Sequence, residues 1–136
     1  MKTVCADYFQ YEFGNSCHDA VISFESLHHF MPEKKQKLYR KIYRGLKMGG
    51  VFLLGDYIAC CDEEEELLRD VCRFRRERDG IPERGFVHFD TPLTLEHELE
   101  LLADSGFGGA EMVECVNGAT IIMVRKYMED YKRREA

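Results

Sequence analysis

The first half of the chain carries alternating blocks of apolar and polar positions that predict a strand, a helix and a second strand. Residues 19–24 form a short apolar run, which is typical of a strand buried on both faces, as in a parallel sheet. From Pro32 to Leu46, apolar residues recur among lysines and arginines at helical spacing, which predicts an amphipathic helix. Residues 48–50 (Met-Gly-Gly) then break the helix, and residues 51–54 predict a second buried strand that runs on to residues 55–57. This order indicates a right-handed βαβ unit.

Two more helices are predicted farther along the chain. Residues 62–66 are acidic and open one helix, where they suit the positive end of the helix dipole, and arginines fill its later turns. Thr94 is the predicted N-cap of another helix, which carries leucines inward and is ended by Gly106. Between these two helices, residues 79–92 hold two prolines and two glycines. They predict a loop, and we expect it to fold over a site.

The C-terminal part of the chain predicts an antiparallel pair of strands. Residues 111–116 and 119–124 flank Asn117-Gly118, which is the strongest short-range signal for a two-residue hairpin. Residues 125–136 are mostly charged, and they predict either a frayed end or a short helix. No repeat or low-complexity tract divides the sequence, so we expect a single domain over residues 1–136.

Composition and charge narrow the range of partners. The 136 residues are 45% apolar, which is enough for one hydrophobic core. The net charge is -6, and the lysines and arginines are interleaved with more numerous acids, so we expect no nucleic-acid partner. No apolar run approaches the roughly 18 residues that a membrane span needs, and the first residues lack the apolar stretch of a signal peptide. A cytoplasmic protein without a membrane partner is therefore expected.

Six cysteines occur without any C-x-x-C pair, and several of them lie in apolar segments. This pattern predicts reduced, mostly buried thiols rather than a disulfide framework. The adjacent Cys60 and Cys61 leave open a redox or metal site. However, neighbouring side chains on regular structure point apart, which argues against such a site.

The order of three segments resembles the class I S-adenosylmethionine-dependent methyltransferase family. Residues 19–30 read DAVISFESLHHF, residues 46–52 read LKMGGVF, and residues 102–107 read LADSGF ahead of the predicted hairpin. The resemblance implies a truncated Rossmann-like α/β sheet, with parallel strands flanked by helices and a C-terminal antiparallel hairpin. It also implies S-adenosylmethionine as cofactor, a small-molecule methyl acceptor, and a crevice at the carboxyl ends of the parallel strands.

The same resemblance implies which residues contact the cofactor. Residues 4–9 look like the family's preceding strand and its acidic turn, so Asp7 would accept a hydrogen bond from the adenine amino group. Tyr8 or Phe9 would pack on the adenine ring, and Phe24 and Glu25 would also contact the cofactor. The alternative is a surface turn capped by Asp7, with the aromatic residues in the core.

Candidate catalytic and substrate-binding residues cluster near the predicted strand ends. His28 and His29 follow the first strand, where a neutral imidazole can orient a substrate or accept its proton. No further ligand stands at suitable spacing, so no metal is expected. Asp56 and Tyr57, at the end of the next strand, and His88, in the 79–92 loop, are predicted to contact the substrate. Strand-end capping or ordinary packing remains the alternative for all five residues.

The chain departs from the family at its N-terminal side. A full member opens with a strand, a glycine-rich turn and a helix that approach the cofactor, whereas Gly106, Gly108 and Gly109 lie too late for this role. The strands that are missing would lie between residues 2–6 and 19–24. We therefore expect either a homodimer or a partner that supplies the missing strands, or a fragment of a longer product. Two functions stay open: a methyltransferase that is active when whole or complemented, and a non-catalytic methyltransferase-like module that dimerises or binds a partner through its sheet edge.

Overall fold

The computed structural model describes residues 1–127, which form a mixed four-stranded sheet with helices packed on one face. The elements, in chain order, are β1 (His18–Phe24), a 3-10 turn (Leu27–His29), α1 (Pro32–Gly45), β2 (Leu46–Tyr57), α2 (Asp62–Asp79), α3 (Leu95–Asp104), β3 (Met112–Val116) and β4 (Ala119–Arg125). The strand order is β1-β2-β4-β3, where β1 and β2 are parallel and β4 is antiparallel to both of its neighbours. The predicted α/β fold with a terminal antiparallel hairpin is confirmed.

Local signals placed the helices and the hairpin correctly. The Thr94 hydroxyl accepts a hydrogen bond from the His97 amide at 3.2 Å, so Thr94 is the N-cap of α3 as predicted. Asn117 and Gly118 have φ angles of 50° and 84°, and both central residues of a type I′ hairpin turn need such positive values. Strand β2 is longer than predicted, because it begins at Leu46, directly after α1, rather than at Val51.

The core lies between the sheet and the two helices α1 and α3. Its buried members are Leu27, Leu38, Tyr39, Ile42, Leu46, Phe52, Leu54, Leu102, Phe107, Ile122 and Val124. A polar network crosses this core, because Glu98 of α3 accepts hydrogen bonds from Lys35 at 2.5 Å and from the Tyr39 hydroxyl. All three side chains are almost fully buried, so the network fixes α3 against α1.

The opposite face of the sheet stays open in the part of the chain that the structure describes. Ile22 and Phe24 of β1 are 70% and 61% exposed, and they share this face with Leu53 of β2. Residues 19–24 were predicted to be buried on both faces. In the described part of the chain, residues 1–127, only one face of this strand is covered, so that prediction is wrong. The physical reason is that β1 is an edge strand there, without a neighbour on its outer side or a helix over this face.

The N-terminal segment corrects a second prediction. Residues 4–9 do not form a strand; instead the Asp7 carbonyl accepts hydrogen bonds from the amides of Gln10 and Tyr11, which makes a single turn. The Lys41 ammonium donates to the carbonyls of Tyr8 and Phe9 and holds this turn against α1. Residues 128–136, which cover most of the predicted charged end, lie outside the described residues. Among residues 1–127, the structure has no helix with the length and apolar character of a membrane span.

Candidate functional site

Strands β1 and β2 end side by side, and this brings predicted site residues together. Phe24 is paired with Gly55, and the amide of Glu25 donates to the Gly55 carbonyl at 2.8 Å. The Phe24 ring lies directly over Gly55, where any side chain would collide with it. Glu25 itself has a φ of 49°, a left-handed conformation that is uncommon for a residue with a side chain and is often found at functional sites.

Tyr57 reaches back across this strand end. Its hydroxyl donates to a carboxylate oxygen of Glu25 at 3.3 Å, and its ring packs edge-on against the His28 ring with centroids 4.9 Å apart. The negative charge of Glu25 raises the pKa of Tyr57. Residues predicted for cofactor and for substrate contact therefore touch one another at the carboxyl ends of the two parallel strands.

Asp56 lies beneath this surface rather than on it. Its side chain is buried, and its carboxylate accepts hydrogen bonds from the amides of Leu27 and Tyr57 at 3.1 and 3.0 Å. The same carboxylate makes a short hydrogen bond with Nδ1 of His28. Asp56 is thus occupied by the protein itself, and its geometry is that of a residue that orients His28.

A loop residue that the sequence analysis did not select completes the cluster. Oδ1 of Asp90 lies 3.3 Å from Nε2 of His28 and 3.0 Å from Nδ1 of His29. Nδ1 of His29 is buried and makes no well-aligned hydrogen bond. Burial and the nearby His28 lower the pKa of His29, while Asp90 acts in the opposite direction. The ring of His88 stacks at a tilt on His29, with centroids 4.8 Å apart.

The loop that carries Asp90 is tied down at both of its ends. The Thr91 amide donates to the His28 carbonyl at 2.8 Å, and the Arg76 guanidinium of α2 donates to the carbonyls of Pro82 and Gly85. These contacts place the 79–92 loop against the turn that carries His28, and that it covers a site stays a prediction. Asp90 was missed because a single acid in an irregular loop has no periodic signal.

A crevice of about 680 Å³ opens beside His29, and of the residues predicted for the site only Asp7, Phe9 and His29 line it. It is lined by residues that include Asp7, Phe9, His29, Phe30, Arg76 and Phe86. Asp7 and His29 therefore face one crevice. One carboxylate oxygen of Asp7 accepts from the Phe9 amide at 2.9 Å, and the Tyr8 hydroxyl shares a hydrogen bond with that of Ser26 at 2.7 Å.

The cysteines correct another expectation. All six are free thiols, but only Cys72 is buried, because most of the others lie in loops, the N-terminal segment or the edge strand β3. Cys60 and Cys61 lie in the loop before α2, and their sulfurs are 3.7 Å apart instead of pointing away from each other. A hydrogen bond to Glu64 raises the pKa of Cys60 to about 11, which suppresses the reactive thiolate.

Comparisons with known proteins show similarity to methyltransferase-like proteins. A family profile described as "Methyltransferase domain" matches residues 1–54. Carboxy-S-adenosyl-L-methionine synthase of Helicobacter hepaticus is 26% identical over 131 residues, which are 90% of this chain and 54% of that protein. The synthase of the same name from Shewanella loihica is 28% identical over 131 residues, or 53% of its length. The chain thus spans about half the length of the curated relatives it matches.

Solved structures show the same fold. Human N-acetylserotonin methyltransferase, determined in complex with SAM, matches with a TM-score of 0.65 and 22% identity over 90% of this chain and 33% of its own. The 1,6-didemethyltoxoflavin-N1-methyltransferase of Burkholderia thailandensis matches with a TM-score of 0.64 and 16% identity, over 92% of this chain and 50% of its own. At these identities the likeness establishes a Rossmann-like methyltransferase fold.

Proposed function

We propose that this chain, which is similar in sequence and fold to the class I S-adenosylmethionine-dependent methyltransferases, forms one half of such a domain. The domain transfers the methyl group of S-adenosylmethionine to a small-molecule acceptor. One observation carries the proposal. Glu25, His28 and Tyr57 meet at the carboxyl ends of adjacent parallel strands, which is where open α/β sheets bind their ligands.

The chemistry asks little of the protein beyond alignment. S-adenosylmethionine brings an activated methyl group on a sulfonium, so holding the acceptor atom in line with that methyl supplies most of the rate. We place the reacting atom of the acceptor beside His29, which lines the crevice. The proton that this atom loses passes to the polar cluster of His28, His29 and Asp90. Asp56 is a positioning residue, because it acts through His28.

The cofactor contacts follow the family resemblance. Asp7 faces the crevice, and a carboxylate has more acceptor sites than its hydrogen bond to the Phe9 amide uses, so it can also accept from the adenine amino group. The exposed Phe24 ring and the Glu25 carboxylate are offered to the cofactor from the end of β1. We assign Tyr8 to support of this turn, because its hydroxyl is bonded to Ser26, and Phe9 to stacking. His88 closes over the acceptor from its loop.

We further propose that a complementary half-domain, carrying the glycine-rich turn, covers the open face of the sheet. The support is threefold: β1 is an edge strand, its outward residues Ile22 and Phe24 are exposed and apolar, and the chain covers about half of its curated relatives. Burying an apolar face and pairing an open strand edge both favour association. The half is supplied either by the same polypeptide or by a different chain. A second copy of this chain would cover the open face as a homodimer without supplying the glycine-rich turn.

A non-catalytic module is the second candidate function. The exposed edge and face of β1 favour it equally, since association through them needs no cofactor. In that case the chain would dimerise or bind a partner without binding S-adenosylmethionine. The two functions therefore differ in cofactor binding and in methyl transfer.

The experiment that separates them is a transfer assay with methyl-labelled S-adenosylmethionine and a panel of phenols, amines and carboxylic acids. The chain is assayed alone and together with a separately produced N-terminal half of a class I methyltransferase. The enzyme proposal expects labelled product that disappears in His29→Ala and persists in Glu77→Gln, which changes an exposed acid of α2. Association with that half without labelled product for any acceptor would favour the module.

A further inference from the structure

Three side-chain atoms that can bind a metal ion lie close together around Asp90. Nε2 of His28, Nδ1 of His29 and one carboxylate oxygen of Asp90 all lie within 4.8 Å of one another. They come from the turn after β1 and from the loop before α3, so the fold rather than local spacing assembles them. Asp90 is far from the two histidines along the chain, so ligand spacing in the sequence did not reveal it as a third ligand.

Asp56 fixes which nitrogen of a neutral His28 carries the proton. Asp56 accepts hydrogen bonds from the amides of Leu27 and Tyr57 as an ionised carboxylate does, so the proton of its bond to His28 lies on Nδ1. Nε2 of the neutral ring then carries a lone pair that faces the carboxylate of Asp90 at 3.3 Å. Either a second proton on the ring or a metal cation joins these two groups.

His29 repeats the same relationship from the other side. Its Nδ1 is buried, is 3.0 Å from Oδ1 of Asp90, and makes no aligned hydrogen bond. Hydrogen bonds would satisfy both contacts with Asp90 only with a proton on each of the two ring nitrogens, which makes His28 an imidazolium. One metal cation with three ligand sites satisfies both neutral histidines and the carboxylate at once.

The spacing fits a small transition-metal ion. Zinc binds imidazole nitrogen and carboxylate oxygen at roughly 2.0–2.2 Å, so in a tetrahedral site neighbouring ligand atoms lie about 3.3 Å apart. The two measured separations from Asp90 are 3.3 Å and 3.0 Å. Calcium and magnesium prefer all-oxygen ligands and are disfavoured by the two imidazoles.

The second layer of contacts has the form that metal-binding histidines use. Asp56 accepts a short hydrogen bond from His28 on the side away from Asp90, and such a carboxylate fixes the imidazole tautomer and raises its basicity as a ligand. Two histidines and one carboxylate also leave a fourth position open, which in zinc enzymes is taken by water or substrate. The ring of His88 stacks at a tilt beside His29.

We propose that His28, His29 and Asp90 form a binding site for a divalent transition metal of the zinc class. The bound ion fixes the loop of residues 80–92 over the crevice and presents an open coordination position to it. Metal binding does not depend on the methyl-transfer proposal. If that proposal also holds, the ion would bind the acceptor's hydroxyl or amine and ease the loss of its proton. The lone pairs of the cluster would then be coordinated, so this proton would pass to water rather than to the cluster.

Titration of the full chain with Zn²⁺ tests the site, in a variant whose five exposed thiols are changed to Ser so that they do not compete: Cys5, Cys17, Cys60, Cys61 and Cys115. We expect one zinc per chain and protection of the 79–92 loop from proteolysis. Asp90→Asn should weaken binding by about a hundredfold or more, and Asp56→Asn by about tenfold to a hundredfold. Glu77→Gln, which changes an exposed acid of α2, is the control and should bind as tightly as its parent.

Cobalt(II) gives an independent spectroscopic readout. Bound to the same Cys→Ser variant, it should show visible ligand-field bands. Asp90→Asn should remove those bands while its circular dichroism stays unchanged. Absence of stoichiometric zinc binding would overturn the proposal. So would equal affinity in Asp90→Asn, or cobalt bands that persist in that variant.

Discussion

Nδ1 of His28 and Oδ1 of Asp56 form a short hydrogen bond between two buried side chains. The bond joins the turn after β1 to the last residues of β2, so the strand pairing of the fold sets the orientation of the imidazole. The Leu27 amide donates to the other carboxylate oxygen and adds a second tie at 3.1 Å. The carboxylate of Asp56 thus holds both the His28 imidazole and the backbone of the core residue Leu27.

Replacing Asp56 should therefore cost stability as well as function. In Asp56→Asn the amide nitrogen replaces one carboxylate oxygen, and a buried donor is left without its acceptor. We expect a loss of about 1–3 kcal/mol in the free energy of unfolding, measured by urea denaturation. Asp104→Asn, on the exposed end of α3, should change stability by less than about 0.5 kcal/mol. Equal stability of the two variants would contradict the role given to Asp56.

The buried network of Lys35, Tyr39 and Glu98 gives a larger effect. Glu98→Gln leaves the Lys35 ammonium buried without its counter-charge, and breaking such a pair costs about 3–5 kcal/mol. Replacing the whole network, as Lys35→Met with Tyr39→Phe and Glu98→Leu, should recover most of that loss, because no buried polar group is then left unpaired. Glu100→Gln on the exposed side of α3 is the control. Thermal unfolding of the four proteins measures the difference. A Glu98→Gln variant as stable as the wild type would contradict the role given to the buried ion pair.

The raised pKa of His97 predicts how the stability of the fold depends on pH. Hydrogen bonds to Glu65 raise the pKa of His97 above its ordinary value of 6.5. A raised pKa contributes stability that is complete below the unfolded value and is lost as the pH rises through the folded value. Because the His97 side chain is 40% exposed, we expect the contribution to stay under about 1 kcal/mol. Unfolding measured at a series of pH values from slightly acidic to slightly alkaline should show this loss.

The matched variant for this prediction is His97→Gln, which does not titrate. Its stability should change less over the same pH range than that of the wild type. A stability that rises with pH in the wild type but not in the variant would reverse the sign and contradict the assignment to His97.

The fold was predictable where short-range signals were strong, and less so where tertiary contacts decide. Asn117-Gly118 and Thr94 act within a few residues, and both elements were predicted correctly. The exposure of β1 depends on what lies beside it in the sheet, and an apolar sequence alone does not record this. The candidate site shows the same difference between local and tertiary signals. Its histidines were predicted from their position directly after a strand. Asp90 joins them only through the path of a loop.

The open face of β1 predicts an association that can be weakened without unfolding the chain. Ile22 is 70% exposed, so Ile22→Glu should change the stability of the isolated chain by less than about 0.5 kcal/mol. The same change should weaken binding of the complementary half by about tenfold or more, because it places a charge in an apolar interface. Leu67→Glu on α2 is a matched control, since Leu67 is also exposed. Equal effects of the two variants on association would argue against this face.

Isothermal titration with S-adenosylhomocysteine tests most directly whether this chain forms half of a cofactor-binding domain, with the mass of the chain in solution measured on the same sample. We predict micromolar binding that becomes tighter when the complementary half is present. We also predict that Asp7→Asn weakens this binding by about tenfold, because a charged hydrogen bond is lost. A folded sample that binds no cofactor, alone or with that half, would contradict the methyltransferase proposal and leave a non-catalytic module.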